Sequence, residues 1–160
     1  MKTENQLLVR KIDYGTVLDH IPQWQAELVL KLLDTKIIRE KSDISVVSLH
    51  NVPSKKYGKK DVIKLYHYQI SVEDADLISL VFPEITINYI KDWKPKKYKP
   101  KIPKKIVGKI KCPELNCITN LEREPITTSF TVKPRYKVIQ CDYCDTLLKF
   151  KEIPDYIKRN

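Results

Sequence analysis

The sequence predicts an α+β protein in two parts, a βαββαβ sheet domain followed by a small all-β unit built around paired cysteines. Three observations carry this. Before residue 92 the hydrophobic period switches repeatedly between two and about 3.6, so strands and helices alternate. A lysine- and proline-rich stretch then breaks the pattern. All four cysteines fall after it, in two close pairs.

Each element has its own warrant. Residues 7–21 hold two short apolar runs on either side of Tyr14-Gly15, which predicts a strand with a bulge or tight bend. Pro22 is expected to open a helix in which Trp24, Leu28 and Leu32 recur every four residues and Val29 and Leu33 widen the stripe. Residues 44–52 are β-branched and strand-like, and residues 50–61 (HNVPSKKYGKKD) read as a turn-rich, basic connection. A second strand follows at 62–68, with Val62, Lys64 and Tyr66 on one face and Ile63, Leu65 and His67 on the other. Ser71 with Asp74 signals a helix start, and Ala75, Ile78, Val81 and Phe82 share the helix's apolar face. Pro83 ends it, and 85–90 alternates as the last strand. This order is the split βαβ arrangement of ferredoxin-like domains, with two helices on one face of an antiparallel sheet. That fold hosts many functions and decides none.

The net charge of +10 is unevenly placed. Between Lys91 and Lys111 ten lysines stand against the single acid Asp92, a local +9, which leaves +1 for the other 139 residues. Pro95, Pro100 and Pro103 exclude an uninterrupted helix or central strand there, so the stretch reads as an extended connector. The chain divides here, with residues 1–97 assigned to the sheet domain and 98–160 to the second unit. A hydrophobic content of 42% is enough to build a core and excludes intrinsic disorder. No apolar run approaches the roughly 18 residues of a membrane helix, and residues 1–15 lack the features of a signal peptide. A cytoplasmic location is expected.

Cys112, Cys117, Cys141 and Cys144 form C-x4-C and C-x2-C pairs separated by 23 residues. Two such knuckles joined by a hairpin-sized insert suit a tetrahedral metal, and residues 126–132 and 136–140, joined by a turn at Pro134, supply the hairpin. The unit is thus zinc-ribbon-like. Two disulfides would need an oxidising compartment, and a redox pair at Cys141 and Cys144 would leave Cys112 and Cys117 unexplained. Iron is chemically compatible with four thiolates. Four cysteines close the shell, so the metal, expected as one Zn2+ per chain, is structural rather than catalytic.

Nothing in the sequence marks a catalytic centre. The histidines are His20, His50 and His67, and Asp19-His20 is the one suggestive pair. Neighbours in a regular strand point to opposite faces, which argues against a dyad. With three glycines there is no glycine-rich phosphate loop, so any phosphate must be met by side-chain charge. Lysines of 91–111, with Lys64 and His20, are the available donors.

The segment GTVLDHIP (15–22), the strands carrying Lys64 and Asn88, IPKKI (102–106), and CPELNC with TTSF and CDYC together resemble the regulatory chain of aspartate carbamoyltransferase, over nearly the whole length. The resemblance implies a first domain that binds nucleoside triphosphates (CTP, UTP, ATP) and a zinc domain docked on the catalytic chain. It further implies no catalysis by the chain itself, pairing of regulatory chains through their nucleotide domains, and three such dimers joining two catalytic trimers. By position it implies that Val9, Arg10, Lys11 and Ile12 form the strand against which the base lies. Val17, Asp19 and His20 would meet ribose and phosphates, and Lys64 base and ribose. Val62, Asn88 and Ile90 would line the same pocket, Trp93 would stand beside the base, and Lys97 would meet phosphate. Gln6 and Arg10 depart from the family's lysine and acid, and Lys96 and Lys99 compete with Lys97 for its role.

The leading rival is a zinc-ribbon nucleic-acid-binding module, which the lysine tract favours. Against it, the tract offers only Trp93 and Tyr98 for stacking, and the cysteine unit has no basic helix for a groove. A small zinc enzyme is the second rival, and it requires turnover by the isolated chain.

Overall fold

The computed structural model describes residues 10–33 and 35–158. Strands β1 (Gly15–Ile21), β2 (Ser45–Ser54), β3 (Gly58–Tyr66), β4 (Thr86–Lys91) and β5 (Lys94–Lys97) make one antiparallel sheet in the order β2-β3-β1-β4-β5. The first four follow the ferredoxin-like order. Helices α1 (Ala26–Lys31), α2 (Thr35–Glu40) and α3 (Val72–Val81) complete this part. Leu18 pairs with both Ile63 and Ile87, and the three cluster with Val29, Ala75 and Ile78 of α1 and α3, so the helices cover one side of the sheet. The α3 start is as expected, with Ser71 Oγ accepting from the Asp74 N–H at 3.1 Å.

Four readings of the sequence are corrected. Pro22 opens a turn, not a helix: α1 begins at Ala26, and Trp24 lies outside it with φ 64° and 62% exposure. The cause is tertiary. The carboxylate of Asp61, wholly buried, accepts from the backbone N–H groups of Ala26 (3.1 Å) and Asn51 (2.9 Å) and lies 3.2 Å from His50 Nδ1, which holds the 22–25 turn open. The single expected helix is also two short ones, α1 and α2. The connection at 50–61 is mostly strand, since β2 and β3 run on as a long hairpin beyond the core, pairing Ser54 with Gly58.

The fourth correction concerns the connector, which carries two strands. Asp92 and Trp93, with φ of 51° and 66°, form a two-residue turn of the primed type, so Lys94–Lys97 folds back on β4. β5 is an edge strand, a position where a proline such as Pro95 is tolerated. Its exposed lysines guard that edge against pairing with another chain, which accounts for part of the tract's charge.

Strands β6 (Lys105–Val107), β7 (Ser129–Lys133), β8 (Val138–Cys141) and β9 (Leu147–Lys149) form a second antiparallel sheet in sequence order. Ile106, Phe130, Ile139 and Leu148 are buried on it. A 3-10 helix, Phe150–Tyr156, packs through Ile153 toward α1 and α3 and links the two cores. Two carboxylates of α3 hold the intervening chain. Asp74, almost buried, pairs with Lys109 Nζ, and Asp76 Oδ1 accepts from Tyr98 OH and the Lys101 N–H, both at 2.8 Å.

Candidate functional sites: an open sheet face and a four-thiolate cluster

Strand alternation that sends Leu18, Ile63, Leu65 and Ile87 into the core sends their neighbours to the other side of the sheet. The register there is a continuous row. Val47, Lys64, Val17, Asn88 and Lys97 stand opposite one another across all five strands. One step along, Tyr66, Gly15, Ile90 and Pro95 form a second row on the same face. Lys97 therefore shares a face with Asn88, whereas Lys96 opposes Tyr89 and lies on the helix side.

Residues 10–14 cross one end of this face. Ile12 is buried, and the Arg10 carbonyl accepts from Lys64 Nζ and Tyr66 OH, both at 3.1 Å. The Asp13 carbonyl accepts from the Trp93 N–H at 3.1 Å, which ties the β4–β5 turn to the same segment. Burial lowers the Lys64 pKa, with the Asp19 charge opposing that shift. Val62 is buried, Arg10 and Lys11 are exposed, and Trp93 is 65% exposed at its turn. Val9 and Gln6 lie outside the described residues.

At the far end of β1 the regular alternation fails. The register of β1 against β3 shifts between Leu18 and Ile21, and His20 adopts φ 58°. The opposite-face argument for Asp19 and His20 therefore does not hold, since the bulge leaves His20 Nδ1 3.7 Å from Asp19 Oδ1. Asp19 is nevertheless engaged elsewhere, with Lys60 Nζ at 2.7 Å and the His20 backbone N–H at 2.6 Å, while His20 Nδ1 is buried with no hydrogen-bond partner among the described residues. This arrangement orients a carboxylate between two cationic or polar neighbours. Tyr66 lies on the face that parity gave it, whereas Lys60 was missed as a member. Parity with Lys64 was the signal available for it.

In the second sheet, Cys112 and Cys117 lie in the loop after β6, Cys141 ends β8, and Cys144 sits in the turn to β9. Asn120 Nδ2 donates to the carbonyls of Cys112 (2.9 Å) and Glu114 (2.6 Å) and so fixes the first knuckle. The four Sγ atoms lie within 4.8 Å of one another, with Cys112–Cys144 at 3.5 Å and Cys117–Cys141 at 3.9 Å. Bonds of about 2.3 Å to a tetrahedral zinc put sulfurs about 3.8 Å apart, and a disulfide needs about 2.05 Å. The cluster fits one metal and no disulfide. Thr119 Oγ1 and Thr146 Oγ1 each stand 3.2 Å from a thiol sulfur, of Cys117 and Cys144 respectively, as outer partners of such a centre. Burial pushes the Cys112 and Cys141 thiols up, so a metal has protons to displace there.

A ferredoxin-like sheet with a polar, partly cationic open face, joined to a closed four-thiolate unit, defines a two-domain chain with a binding surface and a structural metal domain. Family comparison makes that specific. Residues 7–101 match the family model described as the allosteric domain of the aspartate carbamoyltransferase regulatory chain, and residues 104–154 match its metal binding domain. Curated regulatory chains from Metallosphaera sedula (42% identical over 154 residues, 96% of each chain) and Archaeoglobus fulgidus (41% over 155 residues, 95% of this chain and 98% of the relative) are similar. So is that of Hyperthermus butylicus, at 40% over 159 residues and 98% of each chain. The chain belongs to the aspartate carbamoyltransferase regulatory chains. Its two domains are an allosteric and a metal-binding one, neither of them catalytic, and structural zinc is the metal its cysteines suit. Among the described residues, no helix is long and apolar enough to cross a membrane.

Proposed function

We propose that the chain binds nucleoside triphosphates on the open sheet face and passes the effect to catalytic trimers through its zinc-stabilised domain. The observation that carries this is the row Lys64, Val17, Asn88 and Lys97 on four adjacent strands, with the Arg10–Ile12 segment folded over its end. It offers an apolar floor, an amide for a base edge or ribose, and cations on either side for phosphates. Lys64 and Asn88 meet base and ribose, Val62 and Ile90 flank them, and Trp93 stands at the rim. Lys97, on the Asn88 side, takes phosphate in preference to Lys96, while Asp19 and His20 orient the ribose-phosphate end and Lys60 holds Asp19. Val9, Arg10, Lys11 and Ile12 complete the base side with backbone groups.

Residues 1–97 act as the nucleotide unit and 98–160 as the zinc unit, held by Cys112, Cys117, Cys141 and Cys144. Regulatory chains pair through the former and dock on the catalytic chain, in the cytoplasm, through the latter. A remote ligand alters catalytic-chain behaviour only through unequal affinity for two states of the assembly, and couplings of about 1–3 kcal/mol are ordinary for such linkage.

Calorimetric titration of CTP, UTP and ATP into the full zinc-loaded chain tests the site. Saturable binding of at least one triphosphate is expected, weakened roughly tenfold or more by Lys64→Ala, since a charge-assisted bond contributes about 1.5–3 kcal/mol. Undiminished affinity in that variant removes the reading. Oligonucleotide binding that persists as salt rises while triphosphates fail to bind would favour the nucleic-acid module instead.

A further inference from the structure

We infer that the cleft between the C-terminal end of α3 and the metal domain is a second ligand site, shaped for a small aromatic anion: a flat apolar body carrying one carboxylate or sulfonate. This goes beyond the nucleotide reading and does not depend on it.

The cleft encloses about 630 Å³, within the range of small-molecule sites at domain boundaries. Its walls come from both parts of the chain: Leu80, Val81 and Pro83 at the end of α3, Ile102 from the intervening segment, Val138 of β8, and Phe150 after β9. Two large apolar side chains at its margin are left in water, Ile102 at 62% and Tyr136 at 69% exposure. Phe150 and Tyr136 are aromatic, and Pro100 and Pro134 add flat apolar rings, so the surfaces on offer favour a planar body.

The charge around this floor is mostly of one sign, four lysines, Lys149 among them, against one acid. Lys101, Lys137 and Lys151 line the cleft, and none of them makes an ion pair among the described residues. The single acid lining it, Asp76, keeps its charge but has its Oδ1 engaged by Tyr98 OH and the Lys101 N–H. An apolar floor with unneutralised ammonium groups at its edge complements an anion with a hydrophobic body, and disfavours both cations and fully hydrated polyanions. α3 covers the side of the sheet opposite Lys64 and Asn88, so the site is separate from the open face. Because its walls belong to two domains, its shape depends on their mutual placement. A ligand that fits one placement better than another shifts the balance between them.

The test uses the full zinc-loaded chain and 1-anilinonaphthalene-8-sulfonate as the probe, followed by its fluorescence and by backbone amide shifts. One saturable site is expected, with shifts centred on Ile102, Val138 and Phe150, and with no displacement by saturating CTP. Ile102→Glu and Lys151→Glu change exposed side chains, and each should weaken the probe roughly tenfold or more by placing a like charge beside the sulfonate. Unchanged affinity in both variants, shifts centred on Lys64 and Asn88, or displacement of the probe by CTP would each overturn the assignment. Loss of nucleotide binding in Lys64→Ala with retained probe binding would remove the open-face reading and leave this one standing.

Discussion

The two sheets of this chain are each antiparallel and each have one buried side, but different things stand behind them. Behind β1–β5 are α1 and α3, and the side chains fully buried there include Leu18, Ile21, Ile63, Leu65, Leu77 and Ile78. Among the described residues, the part that holds β6–β9 has no α-helix, and the 3-10 helix at Phe150–Tyr156 is the longest of three short ones there. β6 and β9 are three residues long, too short to bring much apolar surface of their own. A unit of that size falls below what a hydrophobic core ordinarily stabilises, so ligation must supply the difference. The first domain can therefore spend one face on a ligand, and the second cannot.

Metal removal breaks the comparison most strongly. Structural zinc contributes on the order of 10 kcal/mol to small thiolate domains. A chelator, or Cys144→Ser, should abolish the amide dispersion of residues around β6–β9 while that of β1–β5 persists. In the assembled enzyme the same change should release catalytic trimers that are active and unresponsive to nucleotides, read by gel filtration and assay. Released trimers that still respond to CTP or ATP would overturn the proposed transmission route.

Gly15→Ala is the mirror experiment on the first domain. Gly15 has φ 148°, and a Cβ there would sit 2.0 Å from the Leu65 carbonyl oxygen, a backbone atom that cannot swing away. The expected cost is about 3 kcal/mol or more, from a strained backbone plus separation of β1 from β3. Thermal unfolding should show it in the first domain only, with zinc content unchanged.

These two sites differ in how far the sequence disclosed them. The cysteine cluster was legible because metal chemistry dictates residue type and spacing together. The open face was suggested by the family resemblance, and parity agreed with it by putting Val62 with Lys64 and Asn88 with Ile90. What parity could not show is where it stops. The left-handed Trp24 and the delayed start of α1 go with Asp61, which is 35 residues away from Ala26 in sequence and acts through a buried carboxylate. β5 was hidden for another reason. Lys-Pro-Lys-Lys has no hydrophobic alternation, and only the turn at Asp92-Trp93 and pairing with β4 make it a strand.

Asp61 gives the next prediction, through pH. Burial alone would push its carboxyl up, but N–H groups of Asn51, Ala26 and Trp24 and the His50 ring outweigh burial and hold it below 3.8. A carboxyl depressed in the folded state is protonated more readily in the unfolded one. Its stabilisation is therefore complete above the unfolded value and is lost as pH falls through the folded one. Unfolding of the first domain should become easier below about pH 4, and Asp61→Asn should flatten that acid limb. At neutral pH the variant should cost about 1–3 kcal/mol, because the amide keeps one acceptor oxygen and turns an NH2 toward the donors of the other. An acid limb equally steep in the variant would mean other carboxyls carry it.

The smallest effect concerns the joint between the domains, where the comparison becomes a connection. Tyr98 follows directly on β5, whose Lys97 opposes Asn88 on the open face, and its hydroxyl donates to Asp76 of α3. Burial first, then the hydrogen bond to Asp76, pushes the Tyr98 phenol up to about 12, so it remains a donor across the neutral range. Tyr98→Phe keeps the ring contact with Tyr89, at 5.7 Å between centroids, and deletes only that bond. Asp76 still accepts from the Lys101 N–H, so the loss in stability should be about 1 kcal/mol or less. If the strand carries the effect of a bound nucleotide to the metal domain, this variant should bind CTP as the parent does yet show a weaker nucleotide response in the assembled enzyme. Equal binding with an equal response would place the coupling elsewhere, and the Asp74–Lys109 pair is then the next bond to cut.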